Sequence, residues 1–357
     1  MKREMCRPGI LRRSIRRCAM VLALALIPAV VAISAAAAPA RAVAVTERWK
    51  LGGIDQAVVV RGDDRANPLL VWVGDLWCET PALRKYQAQL EHDFTVIYWC
   101  QRYSGASFDP FAARPARLSF DDYVSDLGEL TDRARKRFQK SKIVIVAHSS
   151  GTIIGLRYAA AHPEAVSAYV GVGQVIDAPE SLRRDYTWAL ATARARRDGS
   201  AVAELIALGP PPYKDNHGAR VLRGRVVTYG GAFHNGLSYG RLATQSALSG
   251  YANWRDLAAA ALADGYTAPM APEMAAARFN GRGAKYSTPI FLASGRFDRR
   301  ADPALAEDFV KQIEAPAKGF EMFELSAHSP PFEQPAAFRN WLVREIRPIA
   351  AHDPAGG

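Results

Sequence analysis

The chain has 357 residues, of which 49% are hydrophobic and 23% charged, with a formal net charge of +11. This composition is that of a soluble globular protein, and a chain this long can bury a core without disulfides or metals to hold it. Residues 1–42 contain eight Lys/Arg and one Glu, so the rest carries only +4, and the absence of a basic run there argues against nucleic-acid binding.

The first 42 residues have the features of a signal peptide. Basic residues precede an apolar run over residues 19–38, and Ala40-Arg41-Ala42 fits the rule for cleavage after Ala42. We therefore predict export to a periplasm or to the medium, with no stable membrane insertion after cleavage. An uncleaved anchor is the alternative, since about 20 apolar residues can span a bilayer, but Pro28 and the cleavage motif argue against it.

Short β-branched runs then alternate with longer amphipathic stretches. Strands are predicted at Ala57–Arg61, Leu69–Val73, Phe94–Trp99, Lys142–Ala147, Val166–Val172, Ile290–Ser294 and Gly319–Leu325. Helices are predicted at Pro81–Glu91, Phe120–Lys140, Gly151–Ala161, Pro303–Ile313 and Pro335–Ile349. Several strands are near-continuous apolar runs, which is typical of strands covered on both faces. The alternation predicts an α/β fold, a mainly parallel sheet with helices on both faces.

The alternation stops between about residues 175 and 285. This segment has no buried-strand runs and is too long for a loop in a compact domain. It is therefore predicted to be an inserted helical cap. The chain then divides into a signal peptide (1–42), the first part of the core (43–175), the cap (176–285) and the second part of the core (286–357).

The most informative motif is Ala147-His148-Ser149-Ser150-Gly151, which follows an apolar strand and precedes a helical stretch. It fits a nucleophile elbow, small-x-Ser-x-Gly, with Ala147 in place of the first glycine. Small residues two before and two after the serine let the strand and the helix pack closely. Ser149 is therefore the predicted nucleophile, because choosing Ser150 would put His148 and Thr152 where small residues are needed.

Two further residues complete a catalytic triad. Asp298 follows the strand at Ile290–Ser294, and His328 follows the next strand, so the chain order is serine, acid, histidine, as in α/β-hydrolases. Asp302 is the rival acid, but Asp302-Pro303 is typical of a helix N-cap followed by proline in the first turn. His352 lies in the Pro/Gly-rich tail, where a solvated terminal residue is the simpler interpretation.

With these motifs the sequence resembles the proline iminopeptidase-like branch of the α/β-hydrolases over most of the chain after residue 42. Residues 67–73 are similar to the family's third strand, and residues 90–102 to a stretch that usually contains Trp, Asp and then Gln-Arg-Gly. The resemblance implies an eight-stranded sheet, a helical cap over the active site, and hydrolysis of a small-molecule or short-peptide substrate with no cofactor and no metal.

The loop after the third strand departs from this pattern. The family usually has His-Gly-Gly-Pro-Gly there, whereas residues 74–78 are Gly-Asp-Leu-Trp-Cys. By position, the resemblance assigns the two oxyanion-hole amides to Leu76 and Ser150. Cys100 replaces the usual aspartate, and the third and fourth strands are adjacent in this fold, so we predict a Cys78–Cys100 disulfide that holds the loop. These are the only cysteines after residue 42, and in an oxidising compartment a disulfide is favoured over a metal site or a nucleophile.

Three functions stay open at this stage. The first is an aminopeptidase, which needs carboxylates for the substrate ammonium group; the cap offers Glu180, Asp185, Asp198, Glu204 and Glu273, although each also fits a solvated helix face. The second is a carboxylesterase for small or apolar esters, favoured by the altered oxyanion loop. The third is a non-catalytic binding protein, which the complete triad argues against. The sequence gives no indication of oligomeric state.

Overall fold

The structure, a computed structural model, describes residues 41–351. The predicted signal peptide, apart from its last two residues, and His352 lie outside this range. One eight-stranded sheet forms the centre of the described chain. Its strands are β1 (Val43–Leu51), β2 (Ile54–Gly62), β3 (Leu69–Val73), β4 (Thr95–Trp99), β5 (Ile143–His148), β6 (Val166–Val172), β7 (Ile290–Gly295) and β8 (Lys318–Phe323).

The spatial order of the strands is β1-β2-β4-β3-β5-β6-β7-β8. β2 pairs antiparallel with both β1 and β4, and all other neighbours are parallel. The predicted α/β class, with a mainly parallel sheet, is therefore confirmed. The carboxyl ends of β3, β5, β6 and β7 lie at one edge of the sheet, where ligands bind in open α/β folds.

β1 is an addition to the seven predicted strands. It is an edge strand whose residues alternate between exposed side chains, such as Thr46 and Arg48, and more buried ones, such as Val45 and Trp49. Such alternation is a strand signal, but it lacks the continuous apolar run that marks the central strands. β2 also begins three residues earlier than predicted, since its pairing with β1 extends to the tight turn between them.

Fourteen α-helices are present in the described residues. They are α1 (Thr80–Tyr86), α2 (Phe120–Phe138), α3 (Gly151–Ala161), α4 (Ala178–Ala195), α5 (Gly199–Leu208), α6 (Asn216–Thr228), α7 (Tyr239–Ala247), α8 (Trp254–Leu262), α9 (Asp264–Thr267), α10 (Ala271–Ala276), α11 (Pro303–Gln312), α12 (Pro330–Glu333), α13 (Pro335–Trp341) and α14 (Arg347–Ala351). Short 3₁₀ turns occupy Ala88–His92, Gly105–Ser107 and Ala268–Met270, and a π-turn at Leu342–Ile346 joins α13 to α14. The last predicted helix, Pro335–Ile349, is therefore interrupted by a π-turn.

Helices cover both faces of the sheet. Side chains of α2, α3 and α11 pack on one face together with Val71 and Ile145. Side chains of α1, α13 and α14 pack on the other face together with Trp72 and Val144. Neighbouring residues of one strand therefore enter opposite layers of the core, as the two-residue period of a strand requires. This two-sided burial explains why the central strands are apolar throughout.

The Gln101-Arg102 pair anchors the loop that follows β4. Gln101 Nε2 donates a hydrogen bond to the carbonyl of Gly74, 2.8 Å away, and so holds the loop after β3. The guanidinium of Arg102 donates two hydrogen bonds of 2.6 Å to the fully buried carboxylate of Asp126 on α2. Such bidentate pairs are geometrically specific. Together these bonds tie the loop after β4 to the loop after β3 and to α2.

Helices α4 to α10 lie between β6 and β7 in the chain. α4, α5 and α6 share a small apolar core of their own, which includes Ala193, Leu205, Leu222 and Val226. Across residues 41–351, none of the helices has both the length and the apolar character needed to cross a bilayer.

Candidate active site

The turn between β5 and α3 has little room for side chains. Ser149 has φ of +54°, in the left-handed region that non-glycine residues seldom adopt. A Cβ atom at Gly151 would lie 2.3 Å from the carbonyl oxygen of Val73, and one at Gly155 would lie 2.8 Å from the Cβ of Ala147. The small residues of the motif are therefore needed for close contact between strand and helix. The strained turn holds the Ser149 side chain at the carboxyl edge of the sheet.

The three predicted triad residues lie in one hydrogen-bonded row. Ser149 Oγ is 2.9 Å from His328 Nε2, and His328 Nδ1 is 2.9 Å from Asp298 Oδ2. All three are buried, with Asp298 fully inaccessible and Ser149 only 6% exposed. This is the geometry in which a histidine accepts a proton from a serine while a carboxylate fixes its tautomer.

The Asp298 carboxylate is oriented by the backbone that follows it. Its Oδ1 accepts hydrogen bonds from the amides of Arg300 (2.7 Å) and Ala301 (2.9 Å), which leaves Oδ2 directed at His328. Asp302 has the other role considered from the sequence. Its Oδ1 accepts a hydrogen bond from the Ala304 amide, 2.8 Å away, at the start of α11.

The His328 loop is held by residues that sequence reasoning missed. The carboxylate of Glu333 accepts hydrogen bonds from the amides on either side, Ala327 at 2.9 Å and Ser329 at 3.3 Å. A Cβ atom at Gly173, where φ is +56°, would lie 2.9 Å from the His328 ring. Gly173 therefore makes room for the histidine. An isolated glycine after a strand is a weak signal, and nothing local marks Glu333.

A buried ion pair lies behind the nucleophile. His148 Nδ1 is 2.5 Å from Glu79 Oε1, and His148 Nε2 donates to the carbonyl of His328, 3.1 Å away. Burial by itself would lower the pKa of His148, but the charge and hydrogen bond of Glu79, with the His328 carbonyl, raise that pKa to about 9. A protonated His148 donates from both ring nitrogens and thus fixes the backbone of the triad histidine.

The loop after β3 places a carboxylate at the predicted oxyanion hole. The Leu76 amide donates to Asp75 Oδ1 at 2.8 Å and to Ser150 Oγ at 3.3 Å. The Ser150 hydroxyl in turn donates to the same Asp75 oxygen. Burial opposes ionisation of Asp75, yet the Ser150 hydrogen bond and the charges of His148 and Arg300 leave its pKa below the usual value. Asp75 is therefore a carboxylate that holds the Leu76 amide, and a developing oxyanion would compete with it.

Two cavities meet beside Ser149. The smaller, of about 90 Å³, contains Ser149 and His328 and is also lined by side chains of α4, α6 and α10 and the residues after β7. The larger, of about 460 Å³, is mostly apolar and is lined by Leu76, Trp77 and residues of α7 and α8. Asp75 and Met274 line both cavities, so the two are neighbours. The site can therefore hold a polar group close to the nucleophile and an apolar group beyond it.

Of the five cap carboxylates considered from the sequence, Asp185 lines the cavity of the nucleophile. The other four are engaged elsewhere: Glu180 with Arg183 and Arg184, Asp198 with the start of α5, Glu204 with Arg225, and Glu273 with Arg157. Asp185 is 6% exposed, and burial together with the negative charge of Asp298 raises its pKa to about 8. It is therefore mostly protonated in the empty site at neutral pH.

Cys78 and Cys100 face each other beside the altered loop. Their Cα atoms are 4.9 Å apart, and both side chains are buried. Together with Asp256 they form the one cluster of candidate metal ligands found within residues 41–351. The two cysteines are therefore a candidate disulfide as well as candidate metal ligands.

Comparison with known proteins places these features in a family. The family described as "Serine aminopeptidase, S33" matches residues 88–335. A curated protein named "Probable aminopeptidase YbaC", from Bacillus subtilis (strain 168), is 26% identical over 325 residues, which cover 86% of this chain and 98% of that protein.

Two solved structures have the same fold. The proline iminopeptidase of Mycobacterium smegmatis superposes with a TM-score of 0.60 at 16% identity, covering 86% of this chain and 99% of that one. A thermophilic esterase from Thermogutta terrifontis gives a TM-score of 0.54 at 17% identity, covering 86% of this chain and all of that one. At these identities the similarity shows the fold alone. Of the two proteins, one is named for peptide hydrolysis and the other for ester hydrolysis.

The first prediction concerns Asp75. Replacing Asp75 by Ala should raise kcat for p-nitrophenyl butyrate by roughly tenfold or more, because one oxyanion donor is worth about 10² to 10³ in kcat and the Leu76 amide would be released to serve as one. Steady-state kinetics at pH 7 measures this. Asp55→Ala, which removes an exposed carboxylate from β2, is the control. A fall in kcat for Asp75→Ala with unchanged stability would mean that Asp75 supports the loop instead of competing for its amide.

The second prediction uses the pKa of Asp185. The folded protein binds this proton up to about pH 8, whereas an unfolded Asp releases it near pH 3.9. The contribution of protonated Asp185 to the free energy of unfolding is therefore complete below about pH 4. It falls by up to about 1.4 kcal/mol per pH unit as the pH rises from there, and it is lost once the pH has passed through 8. Urea unfolding at about pH 5, 7 and 9 should show that Asp185→Asn removes this decline. Glu204→Gln should keep it, and a parallel decline in Asp185→Asn would disprove the assignment.

Proposed function

The chain belongs to the serine aminopeptidase family S33, and we propose that it is an exported enzyme that removes N-terminal residues from short peptides through an acyl-enzyme on Ser149. The observation that carries this proposal is the row of hydrogen bonds from Ser149 through His328 to Asp298 at the carboxyl edge of the sheet. Membership of the family indicates a hydrolase. The row of hydrogen bonds supports Ser149 as its nucleophile and His328 as its base.

The proposed reaction is acyl transfer in two steps. Ser149 Oγ attacks the carbonyl carbon of the scissile bond while His328 Nε2 takes its proton, and Asp298 stabilises the resulting imidazolium. His328 then protonates the leaving amine, and the C–N bond breaks. In the second step His328 Nε2 takes a proton from the water that attacks the ester on Ser149. It then gives that proton to Ser149 Oγ as the acid departs.

The oxyanion of each step requires two amide donors. We assign them to Ser150, which follows the nucleophile, and to Leu76, as position in the sequence predicts. The Leu76 amide must exchange the Asp75 carboxylate for the oxyanion, which costs transition-state stabilisation. The proposal therefore includes a slow enzyme whose rate is limited by this exchange.

Recognition of a free N-terminus is assigned to Asp185. It lies on α4, lines the cavity that contains Ser149, and is buried. A substrate ammonium group beside it would favour the ionised carboxylate and lower its pKa. Residues of α6 and α10 line the same cavity, which supports the proposed role of residues 176–285 as a cap over the site.

Ester hydrolysis is the second candidate function. The apolar cavity of about 460 Å³ beside the nucleophile suits an apolar acyl or alcohol group. An ester is also the less demanding substrate for a site whose oxyanion hole is partly occupied, because its alkoxide leaves more easily than an amine.

The third prediction separates these functions. Ser149→Ala should lower kcat by about 10⁴-fold or more and Asp298→Asn by a similar factor, while Ser200→Ala, on the exposed surface of α5, should leave it unchanged. The substrates are proline naphthylamide and p-nitrophenyl butyrate. Amide hydrolysis that depends on Ser149 supports the aminopeptidase, and ester hydrolysis alone supports the esterase. A protein that hydrolyses neither, and whose Ser149 does not react with a fluorophosphonate, would be a binding protein.

We further propose that Cys78 and Cys100 form a disulfide in the exported protein. Their Cα separation of 4.9 Å lies in the range that disulfides adopt, and an exported protein meets an oxidising environment. The bond would tie the end of β4 to the loop that carries Leu76. It would therefore hold this loop in place, as the glycines do in the His-Gly-Gly-Pro-Gly loop that is usual in the family.

The fourth prediction tests this bond. The double variant Cys78→Ser, Cys100→Ser should lose roughly 3 kcal/mol in the free energy of unfolding, the value expected for closing a loop of this length. Urea unfolding with and without dithiothreitol measures it. The reductant should destabilise the parent protein by a similar amount and leave the double variant unaffected. Two titratable thiols in the native exported protein would rule the disulfide out.

A further inference from the structure

Two arginines face the nucleophile from different elements. Arg223 lies on α6 and Arg300 lies two residues after Asp298, and both line the cavity of about 90 Å³ that contains Ser149 and His328. Both are partly buried. A site that receives only a positively charged N-terminus has no use for two cations next to the reacting bond.

Neither guanidinium has a carboxylate in direct contact within the described residues. Across residues 41–351, the side chains of Arg223 and Arg300 form no ion pair and no hydrogen bond, whereas most other buried or half-buried arginines, such as Arg102 and Arg137, have a carboxylate partner. Burial lowers the pKa of Arg223, and the positive charge of Arg300 lowers it further, so the two cations are close enough to repel each other. Partly desolvated, mutually repelling charges are costly unless an anion joins them.

The two carboxyl groups that line the cavity, Asp75 and Asp185, and the neighbouring Asp298 do not neutralise the arginines by direct contact. Asp298 accepts hydrogen bonds from His328 and from two backbone amides. Asp75 accepts them from Ser150 and Leu76. Asp185 is mostly protonated at neutral pH in the empty site. Burial opposes the charge of Arg300, but Tyr239 and the carboxylates of Asp75 and Asp298 raise the pKa of Arg300 from a distance. The donors on both guanidinium groups are left for a ligand.

We propose that Arg223 and Arg300 form a carboxylate-binding subsite, and that the substrate is a short compound with a free carboxylate close to the scissile bond. This inference rests on the proposed function of Ser149 and adds the substrate class. A guanidinium presents paired N–H donors that match the two oxygens of a carboxylate, which gives both charge and geometry.

A dipeptide fits this subsite best. A cavity of about 90 Å³ has room for few atoms besides the reacting carbonyl, so the carboxylate must lie near the scissile bond. In a dipeptide the C-terminal carboxylate is separated from the scissile nitrogen by one carbon, and Asp185 in the same cavity would receive the ammonium group at the other end. Longer peptides would put an uncharged amide against the two arginines. The other substrate with a carboxylate for these arginines is an ester that carries it on the acyl side.

The first experiment measures binding without turnover. Alanyl-alanine and its C-terminal amide are titrated into the Ser149→Ala variant by calorimetry at pH 7. They differ only in the carboxylate, so the free acid should bind about 10- to 100-fold more tightly, the value of a hydrogen bond to a charged group. Equal affinities would overturn the subsite even if the enzyme proved active on other substrates.

The second experiment assigns the preference to the arginines. Arg223→Gln and Arg300→Gln, each made in the Ser149→Ala background, should reduce the ratio of the two affinities towards one, and Arg300→Lys should restore part of it. Arg220→Gln, an exposed arginine on the same helix, is the matched control and should keep the full ratio. If a Gln variant does not fold, as circular dichroism would reveal, the comparison of acid and amide in the parent background still decides the question.

The third experiment distinguishes the two carboxylate sources in the active enzyme. Values of kcat/KM are compared for alanyl-alanine against its amide, and for mono-p-nitrophenyl adipate against p-nitrophenyl hexanoate. A preference of tenfold or more in the first pair places the carboxylate on the leaving side, and in the second pair on the acyl side. No preference in either pair, with intact Ser149-dependent hydrolysis of the hexanoate, would disprove the subsite alone. Loss of all Ser149-dependent hydrolysis would disprove the proposed function, and the binding titration would still test the subsite.

Discussion

The hydrogen bond between Ser149 Oγ and His328 Nε2 is the contact on which the proposed chemistry depends. The two residues are 179 positions apart in the chain, and neither segment alone can bring them together. The sheet does so, because parallel strands end at a common edge. The strained turn at Ser149 fixes one atom of this contact, and the backbone hydrogen bonds of the His328 loop fix the other.

Several buried or half-buried groups fix the position of this histidine. Glu333 holds the amides on either side of it, His148 holds its carbonyl, and Gly173 leaves space for its ring. The Glu333 carboxylate and the His148 ring would each be costly to bury without a hydrogen-bond partner. The His148–Glu79 pair would be the most costly to separate. Its two charges are stable when buried because they attract each other and form further hydrogen bonds. Such a surrounding keeps the imidazole in one orientation before substrate arrives, which lowers the reorganisation needed during the reaction.

The sequence predicted the fold, and it singled out Ser149, Asp298 and His328, because both predictions depend on local patterns. Apolar runs marked the central strands, and Ser149, Asp298 and His328 each follow such a run in the order typical of the fold. The residues around them could not be found in this way. Glu79 reaches His148 across 69 residues, and Arg223 comes from a helix whose sequence alone does not reveal which face lies over the cavity. The edge strand β1 does carry a readable signal, its alternation of exposed and buried residues, but it has no continuous apolar run.

With the proposed roles of Asp185, Arg223 and Arg300, the charges around Ser149 favour a zwitterionic substrate over either ion alone. An ammonium group by itself would meet two unpaired guanidinium groups, and a carboxylate by itself would meet the ionised Asp75. A molecule with both charges separated by one peptide bond can place each beside its opposite, and its ammonium would promote the ionisation of Asp185.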